Sequence, residues 1–441
     1  MLIIISDLHF SDGTTSSNVV KDVFSQILFP EIRLRLGSLN KNIEEINMVL
    51  LGDIFDIVRS DKWLIIDDEK RPWNGKLDPL YAVNINPEVE NIYNSILKEI
   101  LKAPGCISFL NELKNLAAAC DIPLKITYVI GNHDRAFNIY ESLQNKVKNL
   151  LSGINVVICN FLHSEKYAVL CRHGHEWDEA CFGYQFAKRA LSHSHRSRFH
   201  PEYYKVQNLG EVVTAEIMGG LVHRLNNLFQ WKGKHDSLIE HIKDINNVRP
   251  ALSALKCLIW STSGDFDREM KGNIIEALCL SLESFLNTDY VRLWAKAFTN
   301  NYINGDVTGH LQLLLNLLQE ENFNSLAKAL DFFQDITRYF KVPADNYLKG
   351  AMADLKKYPD VKFVIYGHTH QAKEVIIESD KVKGTFRYIN TGTYLPQIQE
   401  AKVNGFGMSK RMTLTFIYSP DEDGGVGEQG SVSIEMRSVK G

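Results

Sequence analysis

The chain has little that would tie it to a membrane, a disulfide scaffold or a polyanion. No stretch reaches the roughly 18 uncharged apolar residues of a membrane-spanning helix. The segment MLIII leads directly into Ser6 and Asp7, without a basic region, an extended apolar core or a small-residue cleavage site, so no secretory leader is expected. Seven cysteines (106, 120, 159, 171, 181, 257 and 279) are odd in number, scattered, and lack a close CxxC pair. That argues against a disulfide framework and a structural zinc site, and for free thiols in a reducing cytoplasm, the expected location. A formal net charge of -4 over 441 residues excludes a global attraction to nucleic acid or anionic lipid, leaving only local patches for such contacts. Repeats and low-complexity tracts are absent apart from the acidic, Gly-rich PDEDGGVGEQG.

Against these absences stand five short apolar runs, each ending in a cluster of Asp, Asn or His: LIIISDLH, MVLLGDIFD, ITYVIGNHD, AVLCRHGH and FVIYGHTH. Runs of this length and β-branched content read as buried strands. A polar cluster at the carboxyl end of each predicts that all five lie along one sheet edge, where α/β sheets bind ligands. Carboxylate, imidazole and amide oxygen, with no thiolate among them, are donors for hard-to-borderline divalent metals.

Strand-like and helix-like segments alternate over residues 1–180: strands at 2–6, 47–51, 124–130, 154–158 and 167–172, helices around 19–36 and across 88–119. The alternation predicts an α/β core. From 181 to 354 the apolar residues recur at helical spacing and strand-like runs disappear, which predicts a helical insertion. Strands resume at 361–366, 373–378, 385–390, 411–418 and 431–437 and complete the core over 355–441. The polar stretch 58–87 follows the second cluster and reads either as a border of the site or as a connecting loop.

In order, the clusters are Asp7-Leu8-His9, Gly52-Asp53-Ile54-Phe55-Asp56, Gly131-Asn132-His133-Asp134, His173-Gly174-His175 and Gly367-His368-Thr369-His370. This set resembles the calcineurin-like metallophosphoesterase superfamily, with its DxH, GDxxD, GNH[DE], lone His and GHxH blocks. In motif style it is most similar to the branch containing the UDP-2,3-diacylglucosamine pyrophosphatases. The resemblance covers 1–180 and 355–400 and implies a four-layer αββα sandwich carrying the insertion. It implies two divalent ions, manganese first, with iron or zinc as alternatives. Asp7, His9 and His370 would hold one ion, Asn132, His173 and His368 the other, and Asp53 would bridge them. A metal-bridging hydroxide would then hydrolyse a phosphoric ester or anhydride, with His133 assisting at the substrate and Asp56 orienting it. Glycines 52, 131, 174 and 367 suit the sharp turns such strand ends need.

Several assignments have a plainer alternative. Asp56 reads alternatively as a helix cap, and Asp134 as a cap or an acceptor behind the metal loop. His173 is the expected ligand and His175 a neighbouring group that contacts substrate or supports a ligand, with Asp178 either orienting His175 or standing at an ordinary helix start. Arg59, Arg196 and Arg198 are candidate anion contacts, the last two in a basic run over 183–205 that reads also as a solvated face. Arg135 is a weaker candidate. Asn390-Thr391-Gly392-Thr393 is expected to support the metal loop from behind. The expected partner is a phosphorylated small molecule or nucleotide. A nuclease or nucleotide phosphodiesterase is the alternative, and a non-catalytic scaffold a third.

Overall fold

The computed structural model describes residues 1–38, 43–191, 193–195, 197–249, 253–262, 268–298, 344–380, 384–403, 405–422 and 432–439. The Leu-rich run 311–318, His310, Arg196 and most of the turn at 420–430 lie outside them.

The chain is mixed α/β. Strands β1 (Leu2–Ile5), β2 (Ile46–Leu51), β3 (Leu124–Val129) and β4 (Asn155–Cys159) run parallel, and β13 (Met412–Tyr418) and β14 (Ser433–Val439) extend them antiparallel, in the order β14-β13-β1-β2-β3-β4. A second sheet has the order β5-β6-β8-β10-β9, from β5 (Phe161–Ser164), β6 (Val169–Arg172), β8 (Phe363–Tyr366), β9 (Lys373–Asp380) and β10 (Gly384–Asn390). A small third sheet joins β7 (Val248–Arg249), β11 (Gln397–Glu400) and β12 (Phe406–Ser409).

Side-chain alternation along the strands builds the layers. Leu2, Ile4, Val49, Leu51 and Val129 of the first sheet meet Val169, Cys171, Phe363, Ile365 and Ile389 of the second in one buried cluster, so the sheets pack face to face. Ile3, Ile5, Met48, Leu50, Ile126 and Tyr128 point the other way, into a cluster shared with the helices Pro87–Ile100, Pro104–Ala119 and Glu141–Leu150. Leu170, Val364, Tyr366 and Tyr388 point outward from the second sheet onto Tyr347 and Ala351 of the helix Ala344–Lys357. The helix Pro87–Ile100 shows why such segments form. The Asn86 side chain accepts from Glu88 N at 3.0 Å, Pro87 occupies the first turn, and Val89, Tyr93, Ile96, Leu97 and Ile100 make one buried stripe.

Two expectations are corrected. The five polar clusters follow β1, β2 and β3 of one sheet and β6 and β8 of the other, not one sheet edge. An apolar run buried on both faces reads the same whether its second face meets a helix or another sheet. The segment 181–354 also carries a strand, β7, which pairs in parallel with β11. At two residues it is too short to show a period.

The stretch 58–87 seats the helical segment. Arg71 Nη1 and Trp73 Nε1 donate to Glu216 Oε1 at 2.9 and 2.6 Å, and Tyr290 N donates to Trp73 O at 3.0 Å. Phe186, Tyr203, Leu221, Leu278 and Tyr290 share the helix-side cluster with Phe10, Trp63 and Phe137, so these segments have one apolar core in common. Among the described residues the cysteines are free, and no helix is long and apolar enough to cross a membrane.

Candidate metal centre

The loops after β1 and β2 lie side by side, with Asp7 N donating to Gly52 O (3.1 Å) and His9 N to Asp53 O (2.9 Å). Asp7, His9, Asp53, His368 and His370 all hold positive φ, between 45° and 67°. Left-handed backbone costs a non-glycine residue roughly 1–2 kcal/mol, and its concentration here points to a site whose side chains must be aimed. Gly52, at φ 83°, makes the turn after β2, and a Cβ there would collide with the His173 ring. Gly131 and Gly367 serve by their size rather than by a turn, since a Cβ would run into the carboxylates of Asp53 and Asp7 respectively.

These loops converge their side chains on Asp53. His173 Nε2 lies 3.2 Å from Asp53 Oδ2 and 3.2 Å from Asn132 Oδ1. On the other side His9 Nε2 is 3.6 Å from Asp53 Oδ2, 3.8 Å from Asp7 Oδ1 and 2.9 Å from His370 Nε2, which is itself 3.4 Å from Asp7 Oδ1. Three overlapping sets have donor atoms within 4.8 Å of one another: Asp7, His9 and His370; His9, Asp53 and His133; Asp53, His173 and His368. The structure thus brings together all seven residues expected as ligands, and the chemistry of this mixed N/O set fits divalent cations. Asp7 and Asp53 are buried among imidazoles, and each also accepts a backbone N–H, Asp7 from His368 and Asp53 from His133.

Electrostatics keep the carboxylates ionised. Burial would raise Asp53, but His173, His133 and His9 outweigh it and hold it well below the usual range. Burial would likewise lower His173, yet the Asp53 carboxylate raises it to about 10 without an ion. The His173 Nδ1 faces Leu51 O at 2.9 Å, which leaves Nε2 toward the donors. His370 is shifted well below the ordinary imidazole value by burial and by Arg249.

Asp56 is buried and faces two histidines: Oδ2 lies 2.8 Å from His9 Nδ1 and Oδ1 2.9 Å from His133 Nδ1. It caps no helix; its remaining contacts are Arg59 N and Arg59 Nε, each at 3.1 Å. Asp134 accepts from Tyr128 Oη (2.5 Å), Gly131 N (2.5 Å) and Ile54 N (3.2 Å), so it ties down the loop that carries Asn132 and His133. Behind the other loop, Asn390 Nδ2 donates to Gly367 O (2.6 Å) and Thr393 Oγ1 to Asp7 O (2.7 Å).

The residues expected to contact a substrate divide. Arg59 is buried beside Asp56. His175 packs edge-on against Phe182 and Tyr204 behind His173, pushed down to about 4 by burial; His173 is the one that reaches Asp53 and Asn132. Arg198 stacks on Trp177 and Tyr184 and donates to Glu176 O (3.2 Å), and none of its described contacts is with a donor residue. Arg135 makes a two-pronged pair with Glu211 (2.5 and 2.8 Å) and donates to Gln207 Oε1 and Lys205 O, so no anion needs it. Asp178 pairs with His368 (3.2 Å) rather than orienting His175, because the loop after β8 reaches it across the sheet end.

Three residues carry no sequence signal. Cys181 joins Asp178 and His368 in a further cluster of possible donors. Glu211 looks like any helix-surface acid until Arg135 is placed against it. Arg249 sits in an unremarkable NNVRP segment, yet its Nη2 reaches His370 Nδ1 at 2.6 Å. No protein-family model matches the chain, and no curated protein matches it.

Proposed function

We propose that this chain is a dinuclear metal-dependent hydrolase of phosphoric esters or anhydrides, with the four-layer architecture and donor set of the calcineurin-like metallophosphoesterases. The observation that carries the reading is the convergence of donors from five strand ends, in two sheets, on the shared carboxylate of Asp53. Asp7, His9 and His370 would hold one ion and Asn132, His173 and His368 the other, with Asp53 between them. Bound divalent ions would supply Lewis acidity and a lowered pKa for water, the two demands of phosphoryl transfer to water. Manganese, iron and zinc all suit this ligand set.

The residues around the ions have separable tasks. With Nδ1 held by Asp56, His133 keeps Nε2 for the substrate, where an imidazolium would give its proton to the departing oxygen or steady charge on the phosphoryl group. The His133 side chain is 12% exposed while Asp56 is fully enclosed, as suits one group facing substrate and one holding it. Asp56 also fixes His9, so one carboxylate aligns a proposed ligand and the proposed acid.

The test is a pair of substitutions read for metal content and turnover on p-nitrophenyl phosphate and bis(p-nitrophenyl) phosphate. Asp53→Ala is expected to lose metal and activity together, while His133→Ala keeps its metal and loses about 10²-fold or more in kcat. Full turnover in the His133 variant would refute its role. A metal-loaded wild-type protein inert on both esters would favour a binding scaffold instead.

A further inference from the structure

Two guanidinium groups flank the paired imidazoles of His9 and His370. Arg59 is 4% exposed, and its Nε and Nη1 make no hydrogen bond among the described residues, although Nε lies 3.1 Å from Asp56 Oδ2. Buried guanidinium N–H groups without acceptors are costly, and their presence at a site marks a place for an anion. Arg249 comes from β7, which is anchored on β11. From β11, Gln397 donates to His370 O, so the third sheet holds Arg249 and His370 in one frame. Arg249 Nη1 is spent on the carbonyls of Asn246 and Val248 (3.0 and 2.9 Å), whereas Nη2 lies against His370 Nδ1 and Nε2 (2.6 and 3.1 Å). An unbroken line of contacts, Arg59 to Asp56 (3.1 Å), Asp56 to His9 (2.8 Å), His9 to His370 (2.9 Å) and His370 to Arg249 (2.6 Å), puts the two guanidinium groups at the ends of the imidazole pair.

A neutral imidazole has one lone pair, so His370 can serve Arg249 or an ion but not both. An ion held by His370 would therefore free Nη2, on a strand that keeps the side chain beside the site. We propose that Arg59 and Arg249 form an anion clamp for the non-bridging oxygens of the substrate, and that the preferred substrate presents a terminal phosphoryl dianion rather than a singly charged diester. The proposal rests on the dinuclear hydrolase reading. Its chemical ground is the number of acceptors: a diester offers two non-bridging oxygens, few for two ions and two guanidinium forks, while a terminal phosphoryl group offers three and a second charge.

The experiment uses full-length protein saturated with manganese, and inorganic phosphate as the probe, by titration calorimetry. Arg249→Ala is expected to weaken phosphate binding by about tenfold or more, with Arg249→Lys between it and wild type, since a point charge replaces the fork. The same variant is expected to bind manganese at least as tightly as wild type, because a competing cation has been removed. Its kcat/KM on p-nitrophenyl phosphate should fall by at least about tenfold, and on bis(p-nitrophenyl) phosphate by no more than about threefold. Unchanged phosphate affinity, loss of manganese, or equal losses on both esters would each overturn the clamp. Those outcomes are distinguishable from failure of the underlying reading, in which wild-type protein itself would neither hold manganese nor cleave either ester.

Discussion

Replacing Glu211 by Ala tests whether the helical segment is built into the loop that carries His133. Arg135, two residues beyond His133, is buried, and Glu211 takes its Nε and Nη2 at 2.5 and 2.8 Å. Glu211 also accepts from Gln207 Nε2 (2.9 Å) and Asn208 Nδ2 (2.6 Å). Removing one partner of such a pair leaves an uncompensated buried charge, at about 3–5 kcal/mol. Two neutral donors left unsatisfied add about 1 kcal/mol each. Against a total stability of about 5–15 kcal/mol this is a large fraction. Denaturant unfolding of metal-loaded Glu211→Ala should show it as a lower midpoint at unchanged slope. Turnover should fall more than metal content, because Arg135 shares its loop with His133 and with one proposed ligand, Asn132, whereas the other six are anchored elsewhere. The control is the double variant Arg135→Met with Glu211→Leu, which removes both charges and should return to within about 2 kcal/mol of wild type. A cost below about 1 kcal/mol for Glu211→Ala, or a double variant as unstable as the two singles summed, would refute the reasoning.

Two further outcomes are expected. Because the ion-free His173 is raised to about 10, it carries a proton at pH 7.5 and must lose it to become a ligand, so manganese binding should release about one proton from this residue and tighten about tenfold per pH unit between pH 7 and 9. Calorimetry in two buffers of different ionisation enthalpy measures the release, and its absence would remove His173 from the ligand set. Gly131→Ala should cost metal and activity, since its Cβ would press on Asp53 Oδ1. A variant with normal metal content would show that Asp53 has room to move.

Much of the core was readable because the strand ends share one pattern: a buried apolar run, then donors, preceded in four of the five by a glycine or serine. The runs at β1, β2, β3, β6 and β8 lie within a few residues of the expected spans. Unread were β5, β7, β11 and β12, which have four residues or fewer and show no alternation. Strands this short owe their pairing to the neighbours they meet, and local sequence holds little record of it. The donors were legible for a related reason: a carboxylate or imidazole directly after a strand has few plainer uses.

By itself, then, the sequence determined which residues could donate to a metal and that strands would deliver them, because both depend on residue type and local period. Only the tertiary structure decided that the deliveries come from two sheets packed face to face. Only there does Asp56 face His9 and His133 together, Glu211 take Arg135, and Arg249, far along the chain, arrive beside His370. Those pairings join residues 47 to 121 positions apart, and a charge has no partner in sequence until folding places one within reach.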